Sequence, residues 1–457
     1  MDVPIPRTSA SPATIPDRLI NSCPPETYTS SMESIHSDQL INGRLPAASS
    51  CEEEDGFQVI SNTPKYVPYA EIVLQHPERP GETQSEYSEG ASLRKEEQDL
   101  LDEEARLAGI EEQRPTDKFG FFADGSHVDN ISRPVNLSQL RRREKKWLHM
   151  FENWKYFMDD NFDKVRDRCR KGIPPSLRSR AWKFLSGAAY QMEISPRNKF
   201  IYEFCLRQPG DPKIIDEIEK DLDRQFPQHE MFARSGKYAE GGKEDLMNVL
   251  KAWTIVHPEE GYCQGQAPIA SVLLMHMPAR EAFYVFVQMC HKYLNGYYSP
   301  ELEAVQLDGD VLMQTLRDKN KIAYRHLKKN GVDAPLFMIE WFMCVFCRTL
   351  PWPSVLRVWD MFFLTLYHLI MYISGVKVMF KVALVLVKAA FGTTAHCKEH
   401  PDMHAVLTRL RNIPVEAMEE ETLVKKILEI DLDDGELERA HCRALKLRQT
   451  KNLKVVF

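Results

Sequence analysis

The stretch IEKDLDRQFP, Ile218–Pro227, combines one apolar helical face with a single arginine. Apolar side chains recur every four residues at Ile214, Ile218 and Leu222, which is the spacing of a buried helical face. Arg224 follows Leu222 by two residues, about 200° around a helix, and therefore points away from that face. The pattern predicts a cation held on the outer surface of a rigid helix.

Two further side chains bear on Arg224. Asp221 precedes it by three residues, so the two share the helix surface and the carboxylate can orient the guanidinium by charge and hydrogen bonds. Phe226, followed by a proline, ends the helix and places an aromatic ring near the arginine. An Asp–Arg pair at this spacing is usually a solvated surface pair, so this stretch does not establish a site by itself.

A second stretch, PEEGYCQGQAP at Pro258–Pro268, is typical of a sharp loop with a glutamine at its tip. Gly261 and Gly265 bracket the tip, so the backbone can turn tightly and approach a partner closely. Gln264 presents an amide that both donates and accepts hydrogen bonds. A glutamine and an arginine on firm supports suit GTP hydrolysis, because the amide orients the attacking water and the guanidinium neutralises charge on the phosphoryl oxygens.

Four motifs, taken together and in order, resemble TBC domains, the GTPase-activating domains for Rab proteins. They are GIPPSLRSRAWKFLSG (Gly172–Gly187), IxxDxxR (Ile218–Arg224), YCQG (Tyr262–Gly265) and LPWPSVLRVWDMFF (Leu350–Phe363). Three more stretches resemble the ezrin-scaffold-interacting "member ten" subgroup of that family. They are HEMF (His229–Phe232), APIASVLLMHMP (Ala267–Pro278) and GYYSPELEAVQLDGD (Gly296–Asp310).

The resemblance implies a catalytic role for two residues, Arg224 and Gln264, which would be supplied in trans to a Rab in its GTP state. It also implies that three residues position the arginine or contact the Rab: Asp221, Phe226 and Tyr262. The protein would need no cofactor of its own, because GTP and Mg²⁺ arrive on the partner GTPase.

Four other motif residues are implied to be structural: Arg178, Trp182, Trp359 and Asp360. A buried acid or helix carbonyls would pair with Arg178, and Asp360 is one candidate acid. No metal site is predicted. The nearest candidate has spacings that suit zinc on a helix but contains only one thiol: His396, Cys397, His400 and His404.

The predicted fold class is all-α, because helical periodicity broken by Pro or Gly runs through most of the chain without a series of alternating strand patterns. The resemblance implies a multi-helix TBC domain of two helical lobes.

Residues 1–114 hold 11 of the 28 prolines and none of the seven tryptophans, which favours disorder. The predicted regions are a mostly disordered acidic, proline-rich region (1–114), an aromatic segment with DKFGFFADG and an amphipathic helix packing on the domain (115–167), the TBC domain (168–412) and a C-terminal helical tail (413–457).

Composition and the chain ends indicate the cellular compartment and the classes of partner to expect. A net charge of -7 and a pI near 6.1 argue against nucleic acid as a partner. Ten cysteines without a framework spacing fit free thiols, and the first residues lack the pattern of a secretory signal, so a cytoplasmic protein is expected. Basic residues between Arg141 and Lys146 suit a solvated helix terminus, which is the more common case, or contact with an acidic membrane surface. The subgroup resemblance implies that such a membrane is a plasma or recycling membrane. The ending Val455–Phe457 has the form of some PDZ ligands, so a PDZ or cortical scaffold is a candidate partner.

The chain departs from the family pattern after WDMFF. Eleven residues, Leu364–Ser374, separate Phe363 from Gly375. About nine of them are extra to the family pattern, and at about 100° each they would rotate a continuous helix by about 180° and turn its apolar face outward. A break or bulge is therefore expected near Ser374. An atypical insert near 364–374 that packs on the domain or on a membrane explains the departure, and a mistranslated intron explains it equally well.

Two functional hypotheses follow. The first is a Rab GTPase-activating protein with an arginine finger and a glutamine finger, which regulates vesicle traffic. The second is a non-catalytic TBC scaffold that binds Rabs or trafficking partners. The scaffold hypothesis predicts that the finger residues are missing, and Arg224 and Gln264 are both present.

Overall fold

Helices account for the regular secondary structure that can be described in this computed structural model. The described residues are 115–122, 136–234, 236–366 and 374–455. In these ranges the extended segments form two isolated antiparallel bridges, Thr116 with Phe122 and Phe121 with His229. The all-α prediction is confirmed. The region 1–114, predicted to be disordered, lies outside the described residues.

Three helices precede the main body of the domain. They are α1 (Leu137–Glu152), α2 (Trp154–Asp160) and α3 (Phe162–Arg170). The single amphipathic helix predicted over Leu140–Met158 is divided at Asn153 into α1 and α2. α1 begins where the Asn136 side chain accepts a hydrogen bond from the amide of Gln139 at 3.1 Å. Trp147 and Phe151 are buried on its inner face, and the Arg180 guanidinium lies 4.6 Å from the Phe151 ring centre.

A first group of helices surrounds one long central helix. Its members are α4 (Arg178–Ser186), α5 (Ala188–Glu193), α6 (Pro196–Lys199), α7 (Ile201–Leu206), α8 (Pro212–Leu222), α9 (Ala239–Val256), α10 (Gln266–Leu274) and α11 (Ala279–Gln288), with a π-helical turn at Met289–Tyr293. The central helix is α9, which packs against α7, α8, α10 and α11. Leu246, Leu250 and Trp253 recur on it at helical spacing and are fully buried.

A second group is arranged around α16. Its members are α12 (Glu303–Lys319), α13 (Lys321–Lys329), α14 (Pro335–Met343), α15 (Trp352–Phe362), α16 (Ser374–Phe391), α17 (Thr394–Glu399), α18 (Met403–Arg411), α19 (Val415–Met418), α20 (Glu420–Glu429) and α21 (Asp434–Val455). α16 contacts α13, α14, α15, α18 and α20, and α21 packs along α12. The C-terminal helices therefore lie against the domain. No helix of the described ranges combines the length and the apolar character needed to cross a membrane.

The predicted insert begins inside the packed structure. α15 ends at Phe362, and a 3₁₀ turn follows at Phe363–Leu366. Phe363 and Leu364 are buried, and the Tyr293 hydroxyl donates to the Phe363 carbonyl at 3.0 Å. α16 begins at Ser374, so the two helices are separate elements; residues 367–373 lie outside the described ranges.

A buried carboxylate joins the two groups of helices. Asp360, on α15, is fully buried and accepts hydrogen bonds from Arg178 Nε at 3.1 Å and from Trp182 Nε1 at 3.0 Å. Its second oxygen accepts from the amide of Ile173 at 2.7 Å, and Arg178 also donates to the Ile173 carbonyl at 3.0 Å. Trp359 packs against Trp182 with ring centres 5.5 Å apart. The Arg178–Asp360 pairing considered from the sequence is thus present.

Removal of this carboxylate should strongly destabilise the domain. Asp360→Ala leaves the buried Arg178 guanidinium and the Trp182 indole N–H without their acceptor, and we expect a loss of about 3–5 kcal/mol in the free energy of unfolding. Asp216→Ala is the control, because Asp216 belongs to an exposed pair with Lys220 and should change stability by less than about 1 kcal/mol. Urea denaturation of the full chain measures both. Equal effects of the two substitutions would contradict the anchoring role of Asp360.

Candidate functional site

The arginine predicted to be catalytic lies in a turn and not on a helix. α8 ends at Leu222, and Arg224 follows it, so the expectation that Arg224 lies on the helix surface is wrong. Gln225 contributes to this ending, because its side chain is buried and its Nε2 donates to the Asp221 carbonyl at 2.8 Å. In a continuing helix the main-chain N–H of Gln225 would take that carbonyl. Here that carbonyl accepts from the Gln225 side chain and from the main-chain N–H of Arg224 at 3.2 Å, while the main-chain N–H of Gln225 donates to the Leu222 carbonyl at 3.3 Å. The helix therefore ends in a tighter turn.

Asp221 and Tyr262 hold the guanidinium at one edge. The Asp221 carboxylate is buried; its Oδ1 forms an ion pair with Arg224 and its Oδ2 accepts from the Tyr262 hydroxyl at 2.7 Å. Burial raises the pKa of Tyr262, so the hydroxyl stays protonated and donates at neutral pH. The Arg224 side chain is 52% exposed. The guanidinium is therefore oriented by buried groups and still open to solvent.

We call the loop that carries Gln264, Pro258–Gly265, the glutamine loop. Hydrogen bonds from the first group of helices fix it. Gly261 has φ 63°, in the left-handed region that favours glycine, and its carbonyl accepts from Trp253 Nε1 at 3.0 Å. Gln266 is buried at the start of α10, and its Oε1 accepts from the amide of Cys263 at 3.0 Å. These bonds fix the backbone on both sides of Gln264, whose own side chain is exposed.

Gly265 is needed for space and not for a special backbone conformation. Its φ is -66°, which any residue adopts, whereas the sequence indicated a bend there. A Cβ at this position would lie 3.1 Å from the Met343 Cβ, which is tighter than most Cβ contacts. Met343 ends α14, so the second group of helices presses directly against the loop that carries Gln264.

The two predicted finger residues, 40 positions apart in the sequence, meet in the structure. With the Gln264 amide oriented so that its oxygen faces the guanidinium, both terminal nitrogens of Arg224 lie 3.2 Å from that oxygen. The alternative orientation would set amide N–H groups against guanidinium N–H groups and is unfavourable. A planar cation and a carboxamide therefore share one exposed surface patch.

Phe226, predicted to position Arg224 or to contact the partner, packs within the domain. Its φ is 36°, which is uncommon for a bulky residue, and its ring lies 5.8 Å from that of Trp352 and 6.4 Å from that of Phe121. Two contributors to this turn were not predicted as site residues: Gln225 and Phe121. The aromatic segment DKFGFFADG signalled Phe121, but a single polar residue after a helix is usually solvated, so no pattern marked Gln225.

One trio of possible metal ligands occurs in the described residues, and it supports the same loop. Ligand atoms of His257, Glu259 and Glu260 lie within 4.8 Å of one another. Both ring nitrogens of His257 already have partners, since Nδ1 is 3.3 Å from Glu259 and Nε2 is 2.8 Å from Nε2 of His291. This chain of hydrogen bonds ties the start of the glutamine loop to the π-helical turn, and the sequence did not single it out.

Comparison with known proteins decides the family. Residues 175–390 match the family model described as the Rab-GTPase-TBC domain. The chain is 41% identical over 335 residues to TBC1 domain family member whacked of Drosophila melanogaster, which covers 73% of this chain and 88% of that protein. The chain belongs to the Rab-GTPase-TBC family. The resemblance carried by the four motifs is confirmed.

Other TBC relatives extend well beyond the shared region. TBC1 domain family member 10B of Homo sapiens is 47% identical over 333 residues, which are 73% of this chain and 39% of that protein. Member 10A of Mus musculus is 46% identical over 346 residues, which are 76% of this chain and 66% of that protein. These matches confirm the member-ten resemblance, although the chain spans less than half the length of member 10B.

A solved TBC structure shows the same fold. The crystal structure of the Chlamydomonas flagellar RabGAP TBC domain superposes with a TM-score of 0.50 at 20% sequence identity. The superposition covers 69% of this chain and all of that one. At this identity the likeness concerns the fold, and it confirms the TBC architecture expected from the motifs.

The hydrogen-bonded pair of His257 and His291 should make the free energy of unfolding depend on pH in a defined window. Burial, helped by His257, lowers the pKa of His291 from 6.5 to about 4. The unfolded chain therefore binds a proton that the folded chain does not, and the contribution of His291 to stability, complete above pH 6.5, is lost as pH falls toward 4. We expect His291→Asn to flatten the fall in unfolding free energy across this window, measured by urea denaturation at several pH values. His404→Asn, at an exposed position, is the control, and identical slopes for wild type and His291→Asn would refute the assignment.

Proposed function

We propose that this protein accelerates GTP hydrolysis by a Rab GTPase, and that Arg224 and Gln264 are the groups it inserts into the Rab nucleotide site. The observation that carries the proposal is the meeting of these two side chains on one exposed patch, each on a separately supported turn. Membership of the Rab-GTPase-TBC family supports the same partner class.

The geometry suits electrostatic stabilisation of the transition state. A guanidinium has five N–H donors, so its ion pair with Asp221 leaves others to face phosphoryl oxygens. Because Asp221 and Tyr262 set its orientation before any partner arrives, little reorganisation is needed when charge develops. An arginine supplied in trans raises the rate of GTP hydrolysis by roughly 10³–10⁵, or about 4–7 kcal/mol of barrier.

Gln264 has the complementary task. Its amide oxygen accepts from the attacking water and its N–H groups donate to phosphate, in place of the glutamine of the Rab itself. The hydrogen bonds between Arg224 and the Gln264 oxygen are exchanged for contacts with the water and the phosphate. Water is the nucleophile, and GTP gives GDP and inorganic phosphate, so no covalent step occurs on this chain. The protein contributes side chains only, while GTP and Mg²⁺ are carried by the Rab.

The exposure of both side chains favours catalysis over the scaffold hypothesis. A scaffold needs a Rab-binding surface but has no use for an arginine pre-oriented by a buried carboxylate. Such a carboxylate is desolvated, which costs free energy unless the geometry it enforces serves a purpose or is otherwise compensated. The buried carboxylate that orients Arg224 is therefore more consistent with a catalytic role than with binding alone.

Replacement of Arg224 tests the arginine assignment. Arg224→Lys and Arg224→Ala should both lower single-turnover GTP hydrolysis by roughly 10³-fold or more against a panel of GTP-loaded Rabs, because an ammonium cannot reproduce the planar fork. Arg166→Lys is a matched control, since Arg166 pairs with Asp163 at the same three-residue spacing on α3. It should keep full activity. A near wild-type rate for Arg224→Lys would mean that Arg224 is not the finger.

Replacement of Gln264 tests whether the two residues act as a unit. Gln264→Ala should depress hydrolysis by orders of magnitude while Rab binding stays measurable, and Gln139→Ala, an exposed control on α1, should not. The double variant Arg224→Ala, Gln264→Ala should be little worse than either single variant, because residues that share one transition state are not additive. Multiplicative losses would show that the two side chains act independently.

A further inference from the structure

A short segment that precedes the helices lies directly on the arginine-bearing turn. We call this segment, Asp117–Phe122, the strap. Its backbone pairs with residues just beyond Arg224: the amide of Phe122 donates to the Gln228 carbonyl at 2.8 Å, and the amide of Glu230 donates to the Gly120 carbonyl at 2.9 Å. The strap closes on itself as well, because the amide of Phe121 donates to the Asp117 side chain at 3.0 Å. It is therefore a folded element with a defined register.

One side chain of the strap reaches the turn itself. The Phe121 ring lies 5.1 Å from that of Trp352, 4.9 Å from that of His229 and 6.4 Å from that of Phe226, all in edge-on arrangements. Edge-to-face aromatic pairs of this kind stabilise a contact beyond the burial of the two rings. Phe226 is two residues from Arg224, so Phe121 packs on the turn that supports the guanidinium.

The strap and the turn fit closely at Gly120 and His229. The amide of Met231 donates to Nδ1 of His229 at 3.1 Å, so the ring proton is on Nε2, which donates to the Phe119 carbonyl at 2.9 Å. Burial lowers the pKa of His229, which favours this neutral form. Gly120 has φ 89°, and a Cβ there would lie 2.7 Å from Nε2 of His229. The approach requires glycine.

The turn needs this support because it is strained. Phe226 adopts φ 36°, a conformation that is unfavourable for a non-glycine residue and persists only when its surroundings enforce it. Gln225, beside it, is buried, and its Oε1 has no hydrogen-bond partner in the described part of the chain. Both unfavourable features adjoin Arg224. A turn of this kind relaxes when its packing is removed, and the arginine would then sample other directions.

We propose that the strap is a positioning element for Arg224, and that Phe121 and Gly120 act on GTP hydrolysis through the turn and not by contact with the Rab nucleotide. This inference rests on the proposed function of Arg224. A displacement of about 1 Å can cost roughly 100-fold in rate even when its cause is remote from the chemistry. Loss of the strap should therefore lower kcat by roughly 10- to 100-fold while KM for the Rab changes little, since the Rab-facing surface is retained.

Two substitutions in the full chain loosen the strap by different means. Phe121→Ala removes the ring that packs on Phe226, and Gly120→Ala forces a Cβ against His229. Each has a matched control. Phe200→Ala removes a ring that is 59% exposed, and Gly331→Ala adds a Cβ at φ 67° where nothing lies within 4 Å. Phe121→Tyr, which keeps the ring, should restore activity.

The readouts separate positioning from general destabilisation. Multiple-turnover hydrolysis at several concentrations of GTP-loaded Rab gives kcat and KM. Hydrogen exchange reports the amides of Phe122 and Glu230, which bond between the strap and the turn. We expect both strap variants to lose kcat, to exchange these amides faster and to keep the melting temperature of the control variants within a few degrees. Unchanged kcat with fast exchange at these amides would overturn the proposal. A rise in KM together with a loss of global stability would also overturn it.

A double-mutant cycle ties the effect to the arginine. In an Arg224→Lys background, Phe121→Ala should reduce the residual rate by less than about two-fold, because the group that the strap positions is already absent. An undiminished effect in that background would show that the strap acts elsewhere and would overturn the proposal. If Arg224→Lys alone keeps full activity, the proposed function itself fails, and that result is distinct from a failure of the strap.

Discussion

The rest of the structure depends on the buried carboxylate of Asp360. It binds α15 to the loop and helix that contain Ile173, Arg178 and Trp182, and so joins the two groups of helices. A buried ion pair is costly unless every polar atom has a partner, and here both carboxylate oxygens accept hydrogen bonds. α15 also begins with Trp352, whose ring backs the turn after Arg224. One network thus fixes the junction of the domain and one wall of the site.

The site lies where several elements converge, and no single motif builds it. The turn with Arg224 leaves α8, is closed by the Gln225 side chain and rests on Trp352 from the second group of helices. The loop with Gln264 is held by Trp253 from within and is pressed by Met343 from outside. A protein that contributes only two side chains to a reaction on its partner must hold them in place before contact. The size of the helical support is consistent with that requirement.

Backbone strain and exposed polar groups occur together at the site. Phe226 has an unfavourable backbone conformation, Gln225 buries a carbonyl oxygen without a partner in the described residues, and Arg224 and Gln264 leave their polar groups in solvent. Positive φ at non-glycine residues also occurs elsewhere in the described part of the domain, at Leu302, Val345 and Phe346. Local departures of this kind persist only when the surrounding packing enforces them. At this turn they adjoin the two proposed finger residues, so the packing around the turn also sets the position of Arg224.

The sequence by itself determined the helical class, the family and the identity of the two finger candidates, because helical periodicity and motif spacing are local properties of the chain. It also indicated Asp360 as a partner for Arg178. It misplaced Arg224 on the helix, since α8 ends in a tightened turn in which the buried Gln225 side chain shares the Asp221 carbonyl with the Arg224 amide, and no periodicity reveals such a turn. Only the tertiary structure brought Gln264 to Arg224, pressed Gly265 against Met343 and laid Phe121 on the arginine-bearing turn. These are contacts between residues distant in sequence, and they are decided by how the helices pack.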